Sequence, residues 1–220
     1  RSGNSAKTEL FVKNHFEFSI KTGAELVRIR KCELLVSHAK LRQNYSKFLH
    51  ASYLSELLLF CEIPVVESED YFDLLKQTIT QLSEFENCAE IKLNFEIKLL
   101  KLLGISPSLI SCIVCGNFLW NKNAGELMTI KHSIPYQLDP IQGGIRCPNC
   151  LINSTYTAAL NPGSLSFLHN SQSGRSNGFK IKPTQNNLKE LDQALNLYFI
   201  HFFGRTLKSY SLLKENSWKN

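Results

Sequence analysis

Two Cys-x-x-Cys pairs, Cys112-Ile113-Val114-Cys115 and Cys147-Pro148-Asn149-Cys150, with 31 residues between them, constrain this chain more than any other feature. A Cys-x-x-Cys turn lets two thiolates point at one ion, and two such turns complete a tetrahedron around zinc. Four thiolates fill every position zinc prefers, leaving no place for water or substrate, so the pattern describes one structural ion. Gly116 after the second ligand can take a positive φ, and Gly143-Gly144 before Cys147 suit a tight hairpin. Residues 119–130 and 134–145 read as short strands, which makes residues 108–152 a zinc-ribbon-like insert. The same ligands could hold an iron–sulfur cluster, although nothing in the sequence points to a redox partner. Two disulfides or four free thiols are the plainer alternative; an odd count of seven cysteines and the lack of a secretory leader weigh against them. His132, inside the insert, reads as a surface histidine.

The longest apolar runs, such as Leu57-Leu58-Leu59-Phe60-Cys61, are far too short to span a bilayer. The sequence begins at Arg1 and its one methionine is Met128, so the start of the natural chain is expected to be missing or removed. A reducing cytoplasm is the expected location. The net charge of +6 is unevenly spread: residues 1–50 carry +6, 51–106 carry −6, 107–150 carry +1 and 151–220 carry +5. Basic segments attract polyanions with an affinity that falls as salt rises, although charge alone equally describes a solvated surface.

Along the chain, residues 9–20 and 25–35 are strand-like and joined at 21–24. Phe11, Phe16 and Phe18 mark the first, and Leu26, Val27 and Ile29 mix with Arg28 and Arg30 in the second. A lone hairpin is only marginally stable, so these two strands read as the end of a sheet or barrel whose earlier strands are absent. A long helix over 36–61 follows, carrying Leu41, Tyr45, Phe48, Leu49, Leu54, Leu57 and Leu58, with Pro64 marking its end. Ser68 is placed to cap a second helix with the stripe Phe72, Leu75, Ile79 and Leu82. A third, over 89–103, is apolar nearly all round and therefore central; Gly104 and Pro107 stop it. Residues 156–168 form a weaker stretch interrupted by Pro162-Gly163, and 169–187 a loop carrying Arg175, Lys180 and Lys182. The last clear helix starts after Thr184, with Leu188, Leu191, Leu195, Tyr198 and Phe202 in register. The fold class is mainly α: a helical bundle with a β remnant at its start and a small metal-bearing insert.

The sequence contains no G-x-x-x-x-G-K-[ST] loop, no G-x-S-x-G elbow and no H-E-x-x-H. Capping explains the acidic pair Glu69/Asp70, and Cys32, Cys61 and Cys88 read as small buried residues within or beside apolar segments. An enzyme is not expected.

Taken in order, the landmarks resemble the RecO family of bacterial recombination mediators. They are the basic strand pair, Tyr53-Leu54-Ser55-Glu56-Leu57, and Leu99-Leu100-Lys101-Leu102-Leu103-Gly104 with Pro107 after it. Cys112-x-x-Cys115-Gly116, Gly143-Gly144-Ile145-Arg146-Cys147-x-x-Cys150 and Gly204-Arg205-Thr206-Leu207-Lys208-Ser209 complete the series. The resemblance implies the last strands of an N-terminal OB-fold over 1–35 and a helical domain over 36–220 bearing the zinc insert. The family's earlier OB strands have no counterpart before Arg1. It also implies a role in annealing DNA strands and loading recombinase at gaps, with DNA, RecR and the C-terminal tail of single-stranded DNA-binding protein as partners. On this reading Lys13, Arg28, Arg30 and Lys31 of the hairpin, with Arg42 and Lys47 nearby, are the first DNA-contacting candidates; Arg205 and Lys208 are the second group. Lys76, Lys92 and Lys98 could supply charge to a site for the acidic, apolar-tipped protein tail. The other reading is a zinc-ribbon scaffold that binds proteins alone.

Overall fold

Strands β1 (Lys13–Ser19) and β2 (Arg28–Val36) pair antiparallel, with Phe16 opposite Cys32 and Phe18 opposite Ile29. The computed structural model describes residues 9–23, 26–121, 127, 134–174 and 182–217. Arg42 ties the hairpin down: its guanidinium donates to the carbonyls of Leu10 and Ser37 and pairs with Glu9. Beside it the Phe11 ring meets Phe48 edge-on, centroids 5.5 Å apart.

Asn44 divides the helix expected over 36–61 into α1 (Ala39–Gln43) and α2 (Tyr45–Leu59). Its backbone is extended, and its side chain accepts from the Lys47 N–H, so Asn44 caps a new helix where periodicity alone would run on. Helix α3 (Ser68–Glu84) follows a single 3₁₀ turn, Val65–Glu67. Ser68 is not an acceptor cap there; its hydroxyl donates back to the Val65 carbonyl. The buried stripe of α3 is also displaced from expectation: Tyr71, Leu74, Thr78, Ile79 and Leu82 are buried while Phe72 is 56% exposed. Thr78 hid the true register, because its hydroxyl is satisfied by the Leu74 carbonyl and can enter the core.

Helix α4 (Cys88–Leu102) is central, packing against α2, α3 and two later helices, α5 (Pro162–Gln172) and α6 (Gln185–Phe203). Pro162 does not interrupt a helix: it occupies the first turn of α5, where a missing N–H is harmless, and Asn161 accepts from the Ser164 N–H. Helix α6 opens with a reciprocal capping box between Thr184 and Asn187. Arg175 and Lys180 of the expected loop lie outside the described residues.

Between α4 and α5 lies a four-stranded sheet of β3 (Ser108–Cys112), β4 (Tyr136–Asp139), β5 (Gly144–Arg146) and β6 (Ala158–Leu160) in the order β3-β5-β4-β6. The β3–β5 pair is parallel and the other two are antiparallel. The strand expected over 134–145 is thus two strands around a turn, where Asp139 Oδ1 accepts from the N–H groups of Ile141 and Gln142. Of the strand expected over 119–130, the isolated bridge between Trp120 and Leu127 is described; His132 and most of that run are outside the described residues. Among the described residues the fold is mainly helical, with seven α-helices and two small sheets.

The seventh helix, α7 (Lys208–Ser217), was not anticipated, and α2 holds its start. The Glu56 carboxylate accepts from the N–H groups of Lys208 at 3.2 Å and Ser209 at 2.8 Å and from the Ser209 hydroxyl. Burial works against the Glu56 charge, but these donors outweigh it and hold the carboxyl below its usual range. Two orphan donors of a helix start are thereby satisfied from another helix. Glu56→Ala is expected to cost about 1–2 kcal/mol, by analogy with loss of a helix cap. Urea unfolding checks this; stability equal to the parent would show that α7 is held by its apolar face alone.

Candidate metal centre

The parallel pairing of β3 and β5 brings the two Cys-x-x-Cys turns together. Cys112 ends β3, and the chain then turns tightly, the Gly116 N–H donating to the Cys112 carbonyl at 2.9 Å with Gly116 at φ +73°. Cys147 follows β5, and the second turn closes with the Cys150 N–H on the Cys147 carbonyl at 2.9 Å. The Ile113 N–H donates across to the Ile145 carbonyl at 3.0 Å, locking one knuckle against the other. This closeness explains Gly144: a Cβ there would lie 2.5 Å from Ile113 Cγ2 and 2.9 Å from the Ser108 carbonyl oxygen.

All four sulfurs lie within 4.8 Å of one another, and Cys115 and Cys147 Sγ are 3.8 Å apart. Sulfurs about 2.3 Å from a tetrahedral zinc would be separated by about 3.8 Å, so the described spacing already suits such an ion. The Cys147 N–H donates to Cys112 Sγ at 3.3 Å. Burial opposes ionisation of Cys112, but N–H groups of Cys115, Cys147 and Val114 outweigh it and hold the thiol down to about 6. Burial and then the neighbouring sulfurs push Cys150 up to about 12. Four thiolates this close repel one another, and a dication at their centre is the charge that lets all four ionise. The four cysteines therefore form a cluster able to hold a metal ion.

The remaining candidate residues separate by environment. Arg28 and Arg30 are exposed on β2, and Lys13 is half-buried at the start of β1. Lys31 is exposed but pairs with Glu33 at 2.7 Å and Glu17 at 3.6 Å, and Arg42 is committed to the hairpin base. Lys47 is buried, its ammonium 2.7 Å from Glu86, which removes it from any surface for a polyanion. Arg205 is exposed, its guanidinium stacked 3.7 Å above the Phe60 ring, and Lys208 is exposed at the start of α7. Lys76 pairs with Asp73, whereas Lys98 is exposed on α4 beside a groove lined by Tyr71, Leu74, Lys101 and Leu102 and by the carboxylates of Glu67, Asp70 and Asp73. Lys92 belongs to the core and not to a docking surface, being 4% exposed.

Around Lys92 lies a cluster that sequence reasoning missed. Its ammonium is 2.7 Å from both Glu96 of the same helix and Asp192 of α6, and it lies over the rings of Tyr53 and Tyr210. Tyr53 donates to Glu96 and Tyr210 to Asp192. One signal was available: in a helix apolar nearly all round, Lys92 and Glu96 are four residues apart and so share a face.

Helical body and four-cysteine cluster together define a class, a mainly α protein with a knuckle pair able to hold a metal ion built onto a small sheet. A family model described as "Recombination protein O C terminal" matches residues 42–211. The chain is 26% identical to DNA repair protein RecO of Symbiobacterium thermophilum over 215 residues, 97% of this chain and 80% of that protein. The protein of the same name from Moorella thermoacetica is 26% identical over 218 residues, 98% of this chain and 76% of its own length. That of Desulforamulus reducens is 27% identical over 194 residues, covering 88% and 71%. This chain belongs to the RecO family.

Proposed function

We propose that the chain is a non-enzymatic, cytoplasmic DNA repair protein of the recombination-mediator type. It binds single- and double-stranded DNA without sequence preference, anneals complementary strands and helps load recombinase at gaps coated by single-stranded DNA-binding protein. The family match over residues 42–211 is the observation that carries this reading. In it, β1 and β2 are the last strands of an OB-fold over 1–35, and the helical domain over 36–220 carries a zinc-ribbon-like insert at 108–152. The ion at Cys112, Cys115, Cys147 and Cys150 is a single structural zinc. RecR and the tail of single-stranded DNA-binding protein are its protein partners, and Lys98, exposed on α4, is the candidate that can supply charge to such a tail.

Phosphate contacts fall to Lys13, Arg28 and Arg30, with Arg205 and Lys208 as the second group. A cation already stacked on an aromatic face, as Arg205 is on Phe60, is held in place for such a contact. Fluorescent single-stranded DNA titrated at several salt concentrations tests the reading. Binding with a steep salt slope is expected, and replacing Lys13, Arg28 and Arg30 together by alanine should reduce that slope by about 2, since each single-strand phosphate contact contributes about 0.7. Lys47→Ala should leave the slope unchanged. Absence of salt-dependent binding would leave a protein-binding scaffold in place of the mediator.

A further inference from the structure

A cleft of about 260 Å³ opens between the C-terminal half of α6 and the small sheet, lined by Pro140, Ile141, Tyr156, Leu197, Ile200 and His201. Local hydrogen bonds brace its walls. Asp139 fixes the turn that carries Ile141: Oδ1 accepts from the N–H groups of Ile141 and Gln142, and Oδ2 pairs with Arg146 at 2.8 Å. The Tyr156 N–H donates to Ser154 Oγ at 3.1 Å, and the Gly204 N–H closes α6 on the Ile200 carbonyl at 2.8 Å. The apolar walls are nevertheless poorly covered, Ile141 being 58% exposed and Tyr156 65%. Apolar groups exposed on a braced cleft gain from whatever displaces water there, with little ordering left to offset the gain.

Charge narrows the occupant. None of the described residues lining the cleft is acidic, whereas Glu67, Asp70 and Asp73 line the groove beside Lys98. Exposed Arg205 follows directly on Gly204, itself a lining residue, and exposed Lys208 comes three positions later. The volume lies just below the roughly 300–1,000 Å³ that encloses a whole small ligand, so one planar ring system suits it and a charged remainder stays outside. An apolar slot with an aromatic wall and cations close by is the arrangement that takes a single-stranded base by its face and the phosphates by their charge. We infer that this cleft seats one unpaired nucleobase of single-stranded DNA, stacked on Tyr156, while Arg205 and Lys208 hold the flanking phosphates. The slot presupposes the DNA-binding reading above and adds a contact closed to duplex DNA, whose bases are already paired and stacked.

The whole chain and a thymidine oligonucleotide carrying one 5-iodouracil test the assignment without any variant. Irradiation should crosslink that base to Tyr156, located by peptide mass spectrometry, and not to Tyr45, which is 61% exposed at the start of α2, the end away from Phe60 and Arg205. Tyr156→Ala should weaken single-strand binding about tenfold, the size of one lost base–aromatic stack, with the salt slope and the duplex affinity unchanged. Tyr156→Phe keeps the ring face and should bind as the parent does. A strand of the same length with abasic sites throughout keeps every phosphate; it should bind the parent at least tenfold more weakly and be indifferent to Tyr156→Ala. Salt-dependent binding that ignores both Tyr156→Ala and the loss of the bases, with no crosslink at Tyr156, would overturn the slot and leave the phosphate contacts standing. Absence of salt-dependent binding to any DNA would remove the mediator reading, and the slot with it.

Discussion

Cys112→Ser is expected to lower stability by several kcal/mol, on the order of 3–5, and to release the metal. In small zinc fingers the free energy of metal binding, about 10–16 kcal/mol, is effectively the folding free energy. Here the loss should be smaller, because Leu138, Ile145 and Leu160 of the small sheet are fully buried in a core shared with the helices. The local contribution of a metal bound there is expected to be large all the same. The parallel pair β3–β5 is short, and Ile113–Ile145 is among the few hydrogen bonds linking the two knuckles without the ion. Metal analysis should return one zinc per chain, and urea unfolding with and without a strong chelator should reproduce most of the loss in Cys112→Ser. Because the ligands bind as thiolates, protons compete with the metal, and its affinity should fall as pH falls. Acid release of no metal, or a serine variant as stable as the parent, would exclude a structural ion.

The cysteine cluster was legible in the sequence because metal ligation is a local constraint. Two turns of fixed spacing, Gly116 after the first pair and Gly144 before the second, declare themselves without knowledge of the rest of the chain. The same holds for α4, whose continuous apolar character could describe only a central helix, and for the hairpin. What escaped were decisions made by partners distant in sequence. Asn44 could have been an ordinary helical residue, and Pro162 could have ended a helix as easily as begun one. Thr78 looks like a surface residue until its hydroxyl is seen bonded to its own helix. Glu56 and Lys208 are 152 residues apart, so no window along the chain contains both the start of α7 and the carboxylate that holds it. Lys92 was misplaced for the same reason: Asp192 and the tyrosine rings that accept its burial come from other helices.

That buried cluster carries the second large effect. Lys92→Met is expected to cost about 3–5 kcal/mol, because it leaves the fully buried Glu96 without its counter-charge. Burial works to lower the Lys92 pKa, but Glu96 and Asp192 outweigh it and raise it. Burial also raises Glu96, and the attraction of Lys92 only partly offsets this, because Asp192 pushes in the same direction as burial. The two directions agree once the cluster is seen as one ammonium between two carboxylates. The cation is well compensated, and Glu96 is the member least at ease as an anion. Since Lys92 is raised, its contribution is complete below the ordinary lysine range and is lost as pH climbs through the folded value. Glu96 is raised too, so its contribution is complete in acid and declines as pH rises from the ordinary carboxyl range through its folded value. At neutral pH, then, Glu96→Gln should cost less than Lys92→Met and should flatten the acid side of the stability profile. Lys92→Met should depress the profile across the neutral range, where Glu96 must otherwise ionise alone. Urea midpoints of the three proteins measured from pH 5 to pH 8 distinguish these patterns. A Lys92→Met protein within about 1 kcal/mol of the parent at pH 7 would mean that the cluster relaxes or hydrates on losing its cation, and that the helices around it are held by apolar packing alone.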